Sequence, residues 1–227
     1  MLAAVIFDFD GIIVDTEPLH YKAFQEVLVP LGLSYPWEEY LASYIGFDDR
    51  DAFREVFRRA GRSLAEAELR DLIGRKAAAF QTIIARGVEP YPGVVELVGD
   101  LVRAGLPVAL CSGALPSDIE PVLELLGIGG DFSVIVTAAD VTASKPDPES
   151  YALAVRRLAA CFPELAISPV GCLAIEDTPA GIASARGAGL PVLAVSNSYP
   201  AEKLAGVRRV VDSLAGIDVA SLHQLCR

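Results

Sequence analysis

The chain has 227 residues, 52% of them hydrophobic and 22% charged, so it can bury a full core and is too apolar to be intrinsically disordered. Its net charge of −11 argues against nucleic acids and anionic membranes as partners, because both require a basic binding surface. Its four cysteines form no C-x-x-C pair, so neither a zinc site nor a disulfide framework is expected.

The first fifteen residues contain a buried strand followed directly by acidic residues. The apolar run from Ala3 to Phe7 predicts a strand of a parallel sheet that is buried on both faces. Side chains alternate along an extended chain, so Asp8 and Asp10 are expected to converge at the strand's carboxyl end, where Gly11 permits a sharp exit. Converging carboxylates stay ionised only beside positive charge, which favours a Mg²⁺ site. The alternative is that both are solvated residues of a loop.

A helical unit is predicted for residues 16–87. Asp15 or Thr16 can cap its first helix, and every periodic segment up to Arg86 has the apolar spacing of a helix. The stretch shows no strand pattern, so we expect it to be inserted into a second domain made of residues 1–15 and 88–227.

Strands and helices alternate after a linker that contains Pro90 and Pro92. Such alternation indicates βαβ crossovers, and hence an α/β fold with a Rossmann-like, doubly wound parallel sheet. Apolar runs predict the later strands at residues 106–112, 132–136, 171–175, 191–195 and 207–211. The carboxyl ends of these strands are expected to share the edge of the sheet that carries Asp8 and Asp10.

Three polar features follow later strands at this same edge. Ser112 and Gly113 can bind phosphate oxygens through a hydroxyl and backbone N–H groups; the alternative is a serine that caps a helix or turn. Lys145 lies between prolines in SKPDPE and can offset the charge of phosphate and carboxylates; the alternative is an exposed loop lysine. Glu176 and Asp177 can supply further metal ligands; the alternative is that Asp177 caps the next helix.

In this order, the motifs resemble those of the haloacid dehalogenase-like (HAD) hydrolase superfamily, in its β-phosphoglucomutase and phosphoglycolate phosphatase branch. The matching stretches are DFDG with VDTE, the serine after the second strand, KPDPE, and EDTPAGI. The resemblance spans nearly the whole chain. It implies that the helical unit is the α-helical cap domain of this branch.

The resemblance also implies roles for the matched residues. Asp8 is expected to attack phosphorus and form an aspartyl-phosphate, with Asp10 acting as general acid and then as general base. The residues expected to bind the phosphoryl group are Gly11, Ser112, Gly113 and Lys145. The residues expected to bind Mg²⁺ are Asp8, Asp10 through its backbone carbonyl, Asp177 and Glu176.

The expected activity is Mg²⁺-dependent hydrolysis of a small phosphomonoester, such as a sugar phosphate or a phosphoglycolate-like molecule. A phosphosugar mutase is the main alternative. The mutase pattern places a Lys before the cap's glycine, whereas Ile45 precedes Gly46 here and Arg50 comes one place late. The cap residues expected to contact substrate are Thr16, His20 and Arg50. A phospho-accepting receiver module is a further alternative, which the helical insertion and the greater length disfavour.

The expected setting is the cytoplasm, with the protein acting as a monomer on a phosphorylated metabolite. The start of the chain lacks the basic n-region of a signal peptide, and no apolar run approaches the length of a membrane span. Neither nucleic acid nor a membrane is expected as a partner.

Overall fold

The computed structural model describes residues 1–44, 47 and 49–226. The chain forms two compact units, one made of Met1–Asp15 with Glu89–Arg227 and the other of Thr16–Val88. They are named here the core unit and the cap unit. The predicted α/β fold class is confirmed, because the core unit contains a parallel sheet with helices between its strands.

The sheet of the core unit has six strands, all paired in parallel, in the order β3-β2-β1-β4-β5-β6. The strands are β1 Ala4–Phe7, β2 Val108–Cys111, β3 Val134–Val136, β4 Cys172–Glu176, β5 Val192–Val195 and β6 Arg209–Val211. Phe7, the last residue of β1, pairs with Leu110 on one side and Ile175 on the other. The residues that follow β1, β2 and β4 therefore lie side by side at one edge of the sheet.

The cap unit consists of helices over its described residues, as the sequence predicts. They are α1 Glu17–Leu28, α2 Trp37–Ser43, α3 Asp49–Arg59 and α4 Glu66–Ile84. Their buried faces form one hydrophobic cluster that includes Phe24, Phe53, Phe57 and Leu72. The predicted helical unit also includes residues 45, 46 and 48, which lie outside the described residues.

The remaining helices belong to the core unit: α5 Val94–Arg103, α6 Pro116–Leu125, α7 Glu149–Cys161, α8 Pro179–Gly187 and α9 Val219–Leu225. Tyr151, Ala154 and Leu158 of α7 pack with Ile182 and Ala185 of α8 in the core cluster that also contains residues of all strands but the last. The sequence interpretation did not include α9. In the part of the chain that the structure covers, no helix combines the length and apolar character needed to cross a membrane.

Candidate active site

Three carboxylates meet where β1 and β4 end. Asp8 follows β1, Glu176 ends β4 and Asp177 comes next. One carboxylate oxygen from each lies within 4.8 Å of the others, and all three residues are buried. Because β1 and β4 pair side by side, the acidic residues at their ends form this acidic cluster. The sequence predicts these residues at one edge of the sheet.

Lys145 provides the positive charge of this cluster. Its ammonium group donates hydrogen bonds to Asp8 Oδ1 at 2.8 Å, Glu176 Oε1 at 2.6 Å and the Cys111 carbonyl at 3.0 Å. These three bonds use all the donors of one ammonium group. Burial opposes the charge of Lys145, but Asp8 and Glu176 raise its pKa well above the ordinary value. Since its side chain is only 13% exposed, the alternative of an exposed loop lysine is wrong.

The cluster still has more negative than positive charge. Burial, followed by the charge of Glu176, raises the pKa of Asp8 well above its ordinary value, and Lys145 offsets this only in part. Burial raises the pKa of Asp177 to about 7, although the nearby Ser198 hydroxyl acts in the opposite direction. Neither oxygen of Asp177 accepts a hydrogen bond of good geometry from the described residues.

These features fit a hard divalent cation. Three converging carboxylates with one ammonium group leave an excess of negative charge, and the buried oxygens of Asp177 accept no hydrogen bond of good geometry from the part of the chain that the structure describes. Carboxylate oxygens are the protein ligands that Mg²⁺ prefers, and such a cation would remove both the charge imbalance and the unsatisfied acceptors. Asp8, Glu176 and Asp177 could therefore hold Mg²⁺.

Thr178, rather than Asp177, caps helix α8. The Thr178 hydroxyl accepts a hydrogen bond from the backbone N–H of Gly181 at 3.0 Å, which satisfies one free donor at the start of the helix. The alternative in which Asp177 serves as the helix cap is therefore wrong. Gly181 also allows helix α8 to approach the acidic cluster, because a Cβ atom there would overlap the Glu176 carboxylate.

Gly11 allows the backbone to pass close to Asp177. Its φ of +78° is in the left-handed region, and a Cβ atom at this position would overlap the Asp177 carboxylate. The Gly11 N–H donates to the Val14 carbonyl at 2.9 Å, and Asn197 donates to the Gly11 carbonyl at 2.6 Å. Asn197 and Ser198 follow β5, and sequence reasoning missed both. Their position after a parallel strand was the signal that could have identified them.

Ser112 is buried directly after β2, where the sequence places it. Its hydroxyl oxygen accepts a hydrogen bond from the Ala114 N–H at 2.9 Å, so the serine shapes a tight turn. A hydroxyl group that accepts a hydrogen bond in this way keeps its own hydrogen, so it can also donate a hydrogen bond to an oxygen atom of a ligand. Leu115 is the residue that precedes helix α6, so Ser112 does not cap that helix. Gly113 is exposed beside it.

Asp10 lies close to the acidic cluster, with its side chain partly exposed. Its charge contributes to the raised pKa of both Asp8 and Asp177. The chain forms an isolated parallel bridge between Asp10 and Val14, which returns the backbone towards the strand. Asp10 is therefore at the same edge of the sheet as Asp8.

The predicted substrate residues of the cap unit lie in different surroundings. Thr16 is buried at the start of α1, where its side chain makes no capping bond, and Arg50 is exposed on α3. His20 stacks on Phe80 at a ring separation of 4.3 Å and lies 2.8 Å from Lys76 Nζ through its Nδ1. Burial and the charge of Lys76 lower the pKa of His20 to about 3, so this imidazole is neutral at physiological pH. The two residues of the mutase comparison, Ile45 and Gly46, lie outside the described residues.

Lys76 is a buried cation that sequence reasoning missed. It is 2% exposed, and its ammonium group lies 2.8 Å from Asp49 Oδ1 and over the rings of Phe24 and Phe80 at 5.0 and 5.3 Å. The signal was available, because Lys76 lies four residues before Phe80 and four after Leu72 on the apolar face of α4. A lysine within such a stripe must find a partner when it is buried.

Comparisons with known proteins agree with this arrangement. A family model described as haloacid dehalogenase-like hydrolase matches residues 5–195. The fructose-1-phosphate phosphatase YqaB of Escherichia coli (strain K12) is 31% identical to this chain over 85% of it and 96% of the relative. The β-phosphoglucomutase of Bacillus subtilis (strain 168) is 27% identical over 98% of this chain and 95% of the relative.

The fold is similar to that of a solved relative as well. The crystal structure of a mutant of CbbY from Rhodobacter sphaeroides, in complex with xylulose-(1,5)bisphosphate, superposes with a TM-score of 0.85. It has 28% sequence identity and covers 98% of this chain and 99% of the CbbY chain. The chain thus belongs to the haloacid dehalogenase-like hydrolase family, as its motifs predicted.

Proposed function

We propose that this protein is a Mg²⁺-dependent phosphatase that hydrolyses a small phosphomonoester through an aspartyl-phosphate on Asp8. The observation that carries the proposal is the bond from Lys145 to both Asp8 and Glu176 within a buried acidic cluster. This arrangement supports a role for Asp8 as nucleophile, because a fixed cation lies beside its carboxylate at the edge of a parallel sheet, where ligands bind. A bound Mg²⁺, held by Asp8, Glu176 and Asp177, would supply the charge stabilisation that phosphoryl transfer requires.

In the first step, a carboxylate oxygen of Asp8 attacks phosphorus, and the bond from phosphorus to the ester oxygen breaks. Asp10 gives its proton to the departing alkoxide, which leaves as an alcohol. In the second step, water attacks the phosphorus of the aspartyl-phosphate, and Asp10 takes a proton from that water. Inorganic phosphate leaves, and the Asp8 carboxylate is regenerated.

Lys145 and Ser112 supply the groups that hold the transferred phosphoryl oxygens. All three N–H groups of Lys145 already donate to protein acceptors, and these bonds hold its ammonium group in place. A phosphate that binds there would share one of these N–H groups with Asp8 or Glu176. The Ser112 hydroxyl is fixed by its turn and retains a proton to donate. Gly113 adds a backbone N–H group after β2, whereas the Gly11 N–H already donates to the Val14 carbonyl. Donors that are fixed before the reaction lower its barrier because they need little reorganisation.

A sugar phosphate is the substrate class that this proposal favours. The YqaB relative is a fructose-1-phosphate phosphatase, and the CbbY structure holds xylulose-(1,5)bisphosphate. Both molecules are phosphorylated sugars of a size that a single site can enclose. The proposal extends this class, and no single sugar, to the present protein.

A phosphosugar mutase is the second candidate, because β-phosphoglucomutase is also a relative. A mutase must return the phosphoryl group to a sugar phosphate, so it must bind a second phosphate. Among the described residues of the cap unit, the buried cation Lys76 is already paired with Asp49. In the sequence, Ile45 stands where the mutase pattern has a Lys, and Arg50 comes one place late for that pattern. Water is therefore the acceptor that we propose.

One assay separates the two activities. The enzyme is given β-glucose 1-phosphate, a catalytic amount of the 1,6-bisphosphate and Mg²⁺, and both glucose 6-phosphate and inorganic phosphate are followed. A phosphatase releases phosphate from this or another member of a panel of sugar phosphates. Rapid formation of glucose 6-phosphate with negligible phosphate release would instead identify a mutase. Asp8→Asn serves as the control, because it should remove either activity.

A receiver module would differ in the lifetime of its aspartyl-phosphate. A signalling module must hold this group, whereas a phosphatase must lose it to water. Membership of a hydrolase family and the inserted cap unit support the second behaviour. Trapping and timing the phosphorylated protein after mixing with a phosphate donor would measure the lifetime directly.

A further inference from the structure

We propose that Tyr151 is a positioning residue of the active site, whose phenol group fixes the Glu176 carboxylate relative to Lys145. The inference rests on the proposed phosphoryl-transfer function, and it concerns a residue outside the motifs that identified the site. Tyr151 lies in the first turn of α7, six residues after Lys145 in the chain. Its side chain is fully buried.

The geometry gives the Tyr151 hydroxyl a defined partner. It donates a hydrogen bond to Glu176 Oε1 at 2.8 Å, and the same oxygen accepts the bond from Lys145 at 2.6 Å. An ionised carboxylate can only accept hydrogen bonds, so the phenol must be the donor. Tyr151 and Lys145 therefore approach one oxygen together and determine where it lies.

The other oxygen of Glu176 is held less closely. Glu176 Oε2 accepts bonds from the Asp177 N–H and the Thr178 hydroxyl, each at 3.3 Å. Hydrogen bonds of this length are weaker than those at 2.6 to 2.8 Å. The orientation of the carboxylate thus depends mainly on the two donors at Oε1.

Tyr151 becomes more important when Lys145 acts on substrate. Lys145 divides its three donors among Asp8, Glu176 and the Cys111 carbonyl, and a phosphoryl group must compete for at least one of them. If Lys145 turns towards phosphate, Tyr151 is the remaining short donor to Glu176 Oε1. The hydroxyl would then keep Glu176 in place during the reaction.

The ring of Tyr151 has a second contact. Lys145 Nζ lies 5.0 Å from the ring centroid, within the range of a cation–π interaction. Phenylalanine keeps this contact and the packing in the core, while it removes only the hydrogen bond to Glu176. Tyr151→Phe is therefore a selective test of the hydroxyl.

The test compares Tyr151→Phe with the parent protein and with Tyr35→Phe. Tyr35 lies in the cap unit, and its buried hydroxyl has no hydrogen-bond partner among the described residues, so it controls for loss of a buried phenol oxygen. Mg²⁺ affinity is measured by calorimetry without substrate, kcat and KM with p-nitrophenyl phosphate, and Tm by thermal denaturation. We expect Tyr151→Phe to lower both Mg²⁺ affinity and kcat about tenfold, as loss of a group that orients a metal ligand does, with KM within about twofold. Tyr35→Phe should change neither Mg²⁺ affinity nor kcat.

A double-mutant cycle identifies the path of the effect. If Tyr151 acts through Glu176, Tyr151→Phe should weaken Mg²⁺ binding much less in the Glu176→Gln background than in the parent. An equal effect in both backgrounds would overturn the proposal, as would parent-like Mg²⁺ affinity and kcat in Tyr151→Phe. Loss of the fold in Tyr151→Phe would also overturn it, because the hydroxyl would then support the core rather than the site. If the parent hydrolyses no phosphomonoester, the proposed function fails, while the Mg²⁺ titrations still decide the role of Tyr151.

Discussion

At the scale of single residues, the residue next to a carboxylate in the sequence affects which role that carboxylate takes. Thr178 caps helix α8 with its hydroxyl, so Asp177 has no structural task at the helix start. The Asp177 oxygens are buried and accept no hydrogen bond of good geometry from the described residues. Such an acceptor costs free energy until a ligand satisfies it. Because Thr178 follows Asp177 and caps the helix, the Asp177 carboxylate is available to bind a ligand.

Replacement of the nucleophile is the most direct test of the mechanism. Asp8→Asn should lower turnover at least about a thousandfold, because a neutral amide of the same shape is a poor nucleophile. The fold should persist, since the change removes one charge from an acidic cluster that has an excess of negative charge. Initial rates with p-nitrophenyl phosphate and thermal denaturation measure the two properties. Substantial phosphatase activity in the folded, purified variant would contradict the assignment of Asp8.

Gly11→Ala should separate backbone strain from crowding of the site. Gly11 and Gly105 both have positive φ, of +78° and +73°, but only at Gly11 would a Cβ atom overlap a carboxylate, that of Asp177. Gly105→Ala should therefore cost about 1 kcal/mol of unfolding free energy, from the left-handed backbone alone, and leave turnover unchanged. Gly11→Ala should cost more and lower both kcat and Mg²⁺ affinity. Equal behaviour of the two variants in urea denaturation and kinetics would refute this account.

Candidate site residues that follow a strand could be predicted from the sequence, whereas a supporting residue inside a helix, such as Tyr151, could not. The sequence marks three of these positions clearly. Asp8 and Asp177 are polar residues at the end of an apolar strand, and Lys145 lies in a loop that contains prolines. Tyr151 has the spacing of an ordinary core residue of α7, and its contact with Glu176 depends on the docking of α7 against the sheet. Helical periodicity contains no information about such a long-range partner.

At the scale of elements, the loop between β3 and α7 is held by the first residue of that helix. Glu149 Oε2 accepts hydrogen bonds from the Ala143 N–H at 2.8 Å, the Thr142 hydroxyl at 2.9 Å and the Thr142 N–H at 3.0 Å. The loop closed in this way contains Lys145. The backbone N–H of Ala143 and the hydroxyl of Thr142 lower the pKa of Glu149. Glu149 thus orders the segment that aims the lysine.

Glu149→Gln should loosen this loop in a pH-dependent way. A carboxyl group whose pKa is lowered by folding stabilises the fold above its ordinary pKa of 4.5, and this contribution is lost as the pH falls below that value. The variant should be less stable than the parent at pH 7, with a lower kcat because Lys145 is less well aimed. The difference in stability should shrink as the pH falls from 4.5 through the lowered pKa of Glu149. Urea midpoints across this range provide the measurement, and a difference that is the same at pH 7 and pH 3 would count against the loop contact.

The pattern of elements was largely readable from the sequence, but their ends were not. All six strands were predicted, and the apolar runs extend beyond several of them, as in 106–112 against the observed Val108–Cys111. Apolar residues at a strand end continue into the core without pairing, so hydrophobicity cannot mark the last hydrogen bond. Helix α9 was missed because its seven residues are too few to show a period, although Asp218 caps it by accepting from the Ser221 N–H at 2.8 Å.

At the scale of the whole molecule, the most deeply buried carboxylates among the described residues lie together in the acidic cluster. The net charge is −11, and the acidic cluster gathers three of the carboxylates around a single ammonium group. Burial raises the pKa of Asp177 from its ordinary 3.8 to about 7. A carboxyl group with a raised pKa favours folding below pH 3.8 and loses that contribution as the pH rises to about 7. Without a metal, the cluster therefore destabilises the fold most above pH 7.

The stabilisation of the protein by Mg²⁺ should depend on pH, because the charge of Asp177 depends on pH. Treatment with EDTA should abolish turnover and lower Tm, and added Mg²⁺ should restore both. The rise in Tm with Mg²⁺ should be larger at pH 8 than at pH 5, because protons compete with the metal for Asp177 at the lower pH. In Asp177→Ala, far more Mg²⁺ should be needed for the same rise. Full activity after exhaustive chelation would exclude the metal site.

The central position of β1 has a consequence for how the protein acquires activity during folding. β1 pairs with β2 and β4, both distant in sequence, and the bond from Lys145 to Asp8 joins residues 137 positions apart. Contacts between such distant segments form late, because the chain loses much entropy before they stabilise it. During refolding, helical circular dichroism should therefore recover before phosphatase activity does. A growing chain would remain inactive until β4 has left the ribosome and docked beside β1.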